Sequence, residues 1–417
     1  MKLSLINTNF GIVTVPSLGL GFLGGYIKEH CNDIDIEVIE PKLQGITRKE
    51  LLDKVKNSDY LGMTCYTENR FECIDFAKEC KDINPNIKII LGGPHTFSLD
   101  KLLLKNYPFI DYIIRSDGEI ALKKLLNNTS LKDIQGLTYR NKNSIIRNKL
   151  SIERNIDNFR YDYSLCYIKD WKDSEVPKYL MKYNHLPFIS SRGCPYNCTF
   201  CATPRICGRY WRGYSIEILV DELEYLINKY KIKYFRFYDA LFMPNPKQVE
   251  KFYKLVKERD LDFYFRIDAH IGTKMKVYKM LREIGCSILG FGIESGSDRI
   301  LEEINKNISV KEILETIKIT KKLYYWIIGY FMVSHPTETL KDFKNTKDLM
   351  VRFDVNNLQF FKIHPDTHFY DYLKSKEYIN DNVWFDRKYG IKSRYGYEVY
   401  YCKELFPNAP FSIRGFV

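Results

Sequence analysis

No apolar run in this 417-residue sequence approaches the roughly 20 residues needed to cross a membrane, and the opening stretch 1–8 is too short for a secretory signal. The expectation is a cytoplasmic protein with no membrane partner. No dense basic tract accompanies the net charge of +12. Lys and Arg alternate with Asp and Glu along most helical stretches, the pattern of a solvated, lysine-rich surface rather than of a nucleic-acid partner. No tandem repeat, low-complexity segment or Walker sequence is present. Eleven cysteines include one tight group, which argues against a disulfide framework. Cys31, Cys65, Cys73, Cys80, Cys166, Cys286 and Cys402 then read as core or surface thiols.

What is present centres on that group, Cys194-Pro195-Tyr196-Asn197-Cys198-Thr199-Phe200-Cys201, which follows a short apolar run at 186–189. Thiolates are the usual ligands of iron–sulfur clusters, and a four-iron cluster takes four. Three from one loop leave one iron open. A structural zinc site would need a second knuckle or spaced histidines, and Cys207 is the nearest fourth candidate.

The length suggests two or three domains, and 45% hydrophobic with 28% charged residues is ordinary for a globular chain. Residues 1–130 alternate apolar strand runs (2–6, 35–39, 60–65, 87–91, 111–114) with helical patterns such as 69–80 and 118–126. Alternation of this kind predicts an α/β, doubly wound (Rossmann-like) parallel sheet whose ligands bind at the carboxyl ends of the strands. Turn residues concentrate there: 7–11, the series Gly19, Gly21, Gly24 and Gly25, Gly92-Gly93-Pro94-His95, and 116–119. A hairpin is expected at 137–140 and 144–147, and 148–183 reads as a connector whose aromatics serve packing. Alternation resumes at 186, with strands at 186–190, 234–238, 263–267, 287–291, 326–333 and 357–363, predicting a partial (β/α)6 TIM-like barrel with its chemistry at the carboxyl ends. The expected division is a Rossmann domain at 1–135, hairpin and linker at 136–183, barrel at 184–365, and a short C-terminal extension at 366–417. Trp384, Phe385, Tyr389, Tyr395, Tyr397, Tyr400 and Tyr401 in that extension suit capping of the barrel.

The CxxxCxxC spacing, with Phe200 just before the last cysteine, resembles the radical S-adenosylmethionine superfamily. Pro16-Ser17-Leu18-Gly19-Leu20-Gly21, Gly92-Gly93-Pro94-His95, Asp117-Gly118-Glu119 and Gly136-Leu137-Thr138-Tyr139-Arg140 look like the cobalamin-binding domain of its cobalamin-dependent branch, with Ser116-Asp117 where that branch commonly has Gly-Glu. The resemblance implies a 4Fe-4S cluster on Cys194, Cys198 and Cys201, S-adenosylmethionine on the open iron as the source of an adenosyl radical, and cobalamin beside Leu18, Gly19, Gly92, Gly93, Pro94 and His95. The DxHxxG loop that supplies a cobalt-ligating histidine elsewhere is absent, so His95 is not assigned as a ligand.

Within the barrel the resemblance implies Asp239, in Tyr238-Asp239-Ala240, as partner of the methionine amino group, although Asp239 also reads as a plain turn residue. Arg266 would neutralise a carboxylate or form a structural ion pair. Glu294 and Ser295, in the GxES-like Gly292-Ile293-Glu294-Ser295, would face ribose and methionine. Gly329 and Pro336, in a GxFxxGxPGET-like stretch with Ser334 and Thr337 in place of glycines, would line the adenine with Phe200. The implied activity is methylation of an unactivated carbon or phosphinate centre of a small molecule or natural-product intermediate, with an electron donor such as flavodoxin or ferredoxin. Radical rearrangement, cyclisation or oxidation is the alternative. A tRNA methylthiotransferase is disfavoured by the lack of a second cluster motif, and a cofactor-binding protein without turnover by the intact cysteine loop.

Overall fold

The structure is a computed structural model that describes residues 1–8, 15–166, 171–393, 396–402 and 404–407. Two compact units emerge: Met1–Lys169 with Phe200–Gly208 and Ile363–Tyr400, and Asp170–Thr199 with Arg209–Lys362 and Tyr401–Val417.

The first unit is built on a seven-stranded sheet of β1 (Lys2–Asn7), β2 (Asp35–Ile39), β3 (Tyr60–Thr64), β4 (Lys88–Gly92), β5 (Tyr112–Ile114), β6 (Leu137–Asn141) and β7 (Ser144–Arg147), in the order β2-β1-β3-β4-β5-β6-β7. The first five are parallel, and their apolar runs are buried on both faces beneath helices such as Leu18–His30, Arg70–Ile83, Thr96–Asn106 and Glu119–Leu126. The expected hairpin forms, but it continues this sheet: β6 pairs antiparallel with β5, placing Tyr139 opposite Tyr112. Asp100, buried on Thr96–Asn106, accepts from Thr138 Oγ1 at 2.5 Å and Arg147 Nε at 2.7 Å and pairs with Arg115 Nε at 3.3 Å. One carboxylate thus fastens hairpin to helix.

Gly21, Gly24 and Gly25 serve close packing. A Cβ at Gly21 would stand 2.2 Å from the Tyr161 ring, at Gly24 2.9 Å from Leu165, and at Gly25 2.4 Å from the Arg160 carbonyl oxygen. They form the groove in which the connector lies. Trp384 and Tyr397 of the C-terminal extension pack within this unit. Buried Arg70 donates to the carbonyls of Thr67 (2.5 Å), Trp384 (3.1 Å) and Tyr397 (2.7 Å), and Trp384 meets His95 edge-on at 5.8 Å. A short hairpin of β16 (Ile391–Ser393) and β17 (Gly396–Glu398) completes the segment. Tyr395 and turn positions 9–11 lie outside the described residues.

The second unit holds β8 (His185–Phe188), the two-residue strands β9 (Ser191–Arg192) and β10 (Arg212–Gly213), then β11 (Tyr234–Phe237), β12 (Tyr264–Asp268), β13 (Cys286–Glu294), β14 (Trp326–Val333) and β15 (Val355–Phe360). Its main sheet is all-parallel in the order β15-β14-β13-β12-β11-β8 and curls into a half-barrel, as expected. Strand alternation sorts its faces. Phe237 and Phe265 interlock with Phe242, Phe265 meets Phe252 of the helix Pro246–Glu258, and Phe235 packs on Phe263. Tyr234, Arg236, Arg266, Asp268 and Tyr330 take the other, concave face. The end of the connector fills the base of that face: Val176 and Leu180 pack against Tyr234, Ile288 and Ile328. Each fully buried apolar side chain of this plug contributes about 1.5–3 kcal/mol of transfer free energy.

Candidate functional site

The cysteine loop leaves the sheet at the carboxyl end of β8, where barrel chemistry is expected. β9 pairs with β10, and Gly193 at φ +86° then turns the chain, a conformation that favours glycine. Cys194, Cys198 and Cys201 are half-buried, whereas Cys31, Cys65, Cys73, Cys80, Cys166 and Cys286 are buried. The predicted ligand thiols are therefore among the reachable ones. Among the described residues, no three His, Cys, Asp or Glu side chains are already drawn together as a metal-holding group. The fit to a cluster rests on donor chemistry and on this accessibility. Tyr196 stacks on His270 at 4.6 Å and 13°. Burial, reinforced by the neighbouring Cys194 and Cys198 thiols, pushes the Tyr196 phenol above its ordinary range, and burial pushes His270 down.

Asp239 sits at the root of this loop. Its carboxylate is buried and accepts from Ser190 N at 3.1 Å, Ser190 Oγ at 3.0 Å and Ser191 Oγ. Burial pushes its pKa up to about 6, against the downward pull of those serines. The carboxylate expected to meet a ligand ammonium also fixes the residues that lead into the cysteines.

Arg266 is likewise committed, through the ion pair left open by the sequence. Nη1 pairs with Asp173 Oδ2 at 3.0 Å, and Nη2 pairs with Glu175 Oε2 at 2.6 Å and donates to Tyr330 Oη at 2.7 Å. Burial alone would lower the guanidinium pKa, but Tyr330, Asp173 and Asp268 hold it above its ordinary value. Beside it in register, Arg236 donates to both Asp268 oxygens (3.3 and 3.1 Å) and to Tyr330 Oη (3.0 Å). Tyr234 Oη donates to Asp173 at 2.9 Å. Asp173 N–H donates to His185 Nδ1 at 3.0 Å, which places the ring proton on Nε2, 3.0 Å from the Leu180 carbonyl oxygen. Three carboxylates thus meet two guanidinium groups in this network. Sequence reasoning missed Asp173 and Glu175 because they lie in the aperiodic connector.

Of the remaining barrel candidates, Glu294 (φ +67°) pairs with Lys306 at 3.0 Å, and a Cβ at Gly292 would crowd Lys306 Nζ at 2.8 Å. Ser295 is buried, with its hydroxyl 3.3 Å from Thr346 Oγ1 and accepting from Ser297 N at 3.2 Å, so it holds the loop to the helix Leu340–Met350. Gly329 makes room for an aromatic: a Cβ would lie 2.4 Å from the Phe331 ring. Pro336 and Phe200 are half-buried.

In the first unit the predicted cofactor residues share the carboxyl edge of the parallel strands. A Cβ at exposed Gly19 would meet nothing within 4 Å, Leu18 and Gly92 are partly open, and Pro94 is exposed. Gly93 has φ +94°, and a Cβ there would lie 2.7 Å from the Cys65 carbonyl oxygen, so its glycine identity serves the fold. His95 is fully buried: Nδ1 lies 3.2 Å from Thr67 Oγ1, Nε2 has no hydrogen-bond partner, and burial drives its pKa well down. Glu40, at the end of β2, is a residue the sequence did not single out. It accepts from Ser17 N at 2.5 Å and Asn7 Nδ2 at 2.8 Å, anchoring the start of Leu18–His30.

Comparison with known proteins places both halves. Residues 188–350 match the profile of the Radical SAM superfamily and residues 13–126 that of the B12 binding domain. An uncharacterized methyltransferase of Pyrococcus horikoshii is 31% identical over 388 residues, covering 90% of this chain and 82% of that protein. The anaerobic magnesium-protoporphyrin IX monomethyl ester cyclase of Cereibacter sphaeroides is 22% identical, covering 88% of this chain and 61% of the cyclase. In fold, the radical S-adenosylmethionine methyltransferase TsrM from Kitasatospora setae, solved with cobalamin and a [4Fe-4S] cluster, superposes with a TM-score of 0.76 at 13% identity over 95% of this chain and 87% of that one.

Proposed function

The chain belongs to the radical S-adenosylmethionine superfamily, in the group that joins a B12-binding domain to the radical domain, and from that premise we propose a cobalamin-dependent methyltransferase of an unactivated carbon or phosphinate centre in a small molecule. The observation that carries this reading is the pairing of two cofactor-type edges in one chain: three reachable thiols at the carboxyl end of β8, and an open Gly19 with exposed Pro94 at the carboxyl edge of the first sheet. Cys194, Cys198 and Cys201 would hold the cluster, and Leu18, Gly19 and Gly92 to Pro94 would meet the corrinoid. When bound, the cluster with S-adenosylmethionine supplies a radical, and the corrinoid supplies a transferable methyl group.

The chain's own residues bind and orient. The carboxylates Asp173, Glu175 and Asp268 suit a site for a cationic ligand such as S-adenosylmethionine, because charges shielded from water interact more strongly than in bulk. The Arg236, Arg266, Asp268 and Tyr330 network fixes these groups in place, and the Val176 and Leu180 plug excludes water from the base. Asp239 holds the entrance to the cysteine loop, and a small carrier such as flavodoxin or ferredoxin would deliver the electron.

Anaerobic reconstitution with iron, sulfide and cobalamin tests the reading. Stoichiometric corrinoid, with both 5′-deoxyadenosine and S-adenosylhomocysteine formed on incubation with S-adenosylmethionine and a reductant, is the expected result. A cluster without bound corrinoid would refute the cobalamin part. 5′-Deoxyadenosine without S-adenosylhomocysteine would instead favour rearrangement, ring closure or oxidation; the Cereibacter relative is named a cyclase.

A further inference from the structure

The cysteine loop lies between β9 and the helix Thr203–Ile206. Its own segment therefore provides no ladder for its backbone, whose polar groups need partners from elsewhere. The structure supplies two from one place, the turn after the helix Asp298–Glu303. Thr199 N–H donates to the Ile304 carbonyl at 3.0 Å, and Asn305 Nδ2 donates to the Asn197 carbonyl at 2.8 Å. Asn197 precedes Cys198, and Thr199 follows it. The central cysteine is thus gripped on both sides. Asn305 adopts φ +54°, a conformation that asparagine tolerates better than other residues with a side chain except aspartate and histidine. That backbone aims its amide at the loop, and Lys306 next to it is held by Glu294 at 3.0 Å.

We infer that Asn305 is a positioning residue for the cluster: with the Ile304 carbonyl it clamps the peptide groups flanking Cys198 and so sets how that thiolate is presented to iron. The inference rests on the cluster assignment proposed above. Asn305 touches no reacting atom and acts through the loop, so its loss is read first in the cluster.

Two substitutions separate this role from a general contribution to folding. Asn305→Gly keeps the left-handed backbone at no steric cost and removes only the amide. Asn305→Asp keeps shape and backbone preference but replaces the donor with an acceptor facing the Asn197 carbonyl. Asn128→Gly, at a second left-handed position (φ +54°) in the first unit, is the control. The reconstituted proteins are challenged anaerobically with an iron chelator and followed by visible absorbance and circular dichroism, and the thermal midpoint of each cofactor-free protein is recorded.

Loss of one hydrogen bond predicts cluster release about three- to tenfold faster for Asn305→Gly, and faster again for Asn305→Asp. An altered visible dichroism spectrum is expected with it, while the cofactor-free midpoints and Asn128→Gly match wild type. Wild-type release rates and spectra in both Asn305 variants would overturn the clamp and leave the cluster assignment standing. A lowered cofactor-free midpoint with an unchanged cluster spectrum would also overturn it, in favour of a role in folding alone. A wild-type chain that takes up no cluster would overturn both.

Discussion

Replacing Arg266 by Met distinguishes two roles that the sequence left open, ligand pairing and structural ion pairing. The guanidinium and the Asp173 carboxylate have side-chain exposures of 2% and 6%, and Arg266 bridges Asp173, Glu175 and Tyr330. Met fills similar volume and lacks charge. Its introduction leaves Asp173 buried with the Tyr234 hydroxyl as its remaining side-chain donor. Breaking a buried pair on one side costs about 3–5 kcal/mol, because the abandoned charge keeps its desolvation penalty. For a unit of some two hundred residues this corresponds to a fall of about 6–20 °C in the thermal midpoint. Adding Asp173→Asn removes the abandoned charge and is expected to restore most of the loss, since an ion pair replaced on both sides is often close to neutral. The assay is thermal unfolding of the cofactor-free wild type, the single variant and the double variant, followed by far-ultraviolet circular dichroism. A single variant within about 1 kcal/mol of wild type, or a double variant no better than the single, would refute the structural assignment. Weakened S-adenosylmethionine binding at unchanged cofactor-free stability would return Arg266 to the ligand.

Asp239 gives a pH-dependent prediction. Its folded pKa of about 6 lies above the ordinary 3.8, so the folded chain holds this proton more tightly, and the stability it confers is full below about pH 4 and lost as pH rises through 6. The difference amounts to about 3 kcal/mol, and thermal midpoints between pH 4 and 7 are expected to fall more steeply in wild type than in Asp239→Asn; parallel curves would exclude it. Two glycines in one helix should part company. Gly25→Ala drives a Cβ to 2.4 Å from the Arg160 carbonyl oxygen and is expected to cost about 1–3 kcal/mol in denaturant unfolding. Gly19→Ala meets nothing within 4 Å and is expected to leave the cofactor-free protein equal or up to about 1 kcal/mol more stable while weakening corrinoid uptake; equal destabilisation by both would show that Gly19 too serves packing.

The parallel strands were legible because burial on both faces makes them nearly continuous apolar runs, and Ile89 to Leu91 and Ile327 to Ile328 are indeed buried. The cysteine loop was legible because ligand spacing is local. What sequence could not show was the purpose of a residue whose partner lies far along the chain. Gly21, Gly24 and Gly25 look like a ligand-approach series until Tyr161, Leu165 and Arg160 occupy the space. Arg266 and Ser295 sit in recognisable surroundings, yet Asp173 and Thr346 claim their polar groups. Asp173 and Glu175 lie in a stretch without period, where no pattern separates a buried acid from a solvated one.

These structural roles share a cause. Buried carboxylates here repeatedly serve backbone that lacks a ladder of its own: Asp239 the approach to the cysteines, Glu40 the start of the first helix, and Asp173 the barrel plug at Glu175 N. Irregular backbone must find hydrogen-bond partners, and a charged acceptor makes bonds roughly twice as strong as a neutral one. The desolvation cost is visible in the raised pKa values of Asp239 and Glu40. An acid beside a cofactor loop can therefore be indispensable without touching the cofactor, since a loop displaced by even ~1 Å loses the geometry on which radical chemistry depends. In this chain the motif acid Asp239 and the unremarked Asn305 act on the same loop from opposite ends, one on Ser190 and Ser191 before the cysteines, the other on Asn197 between them.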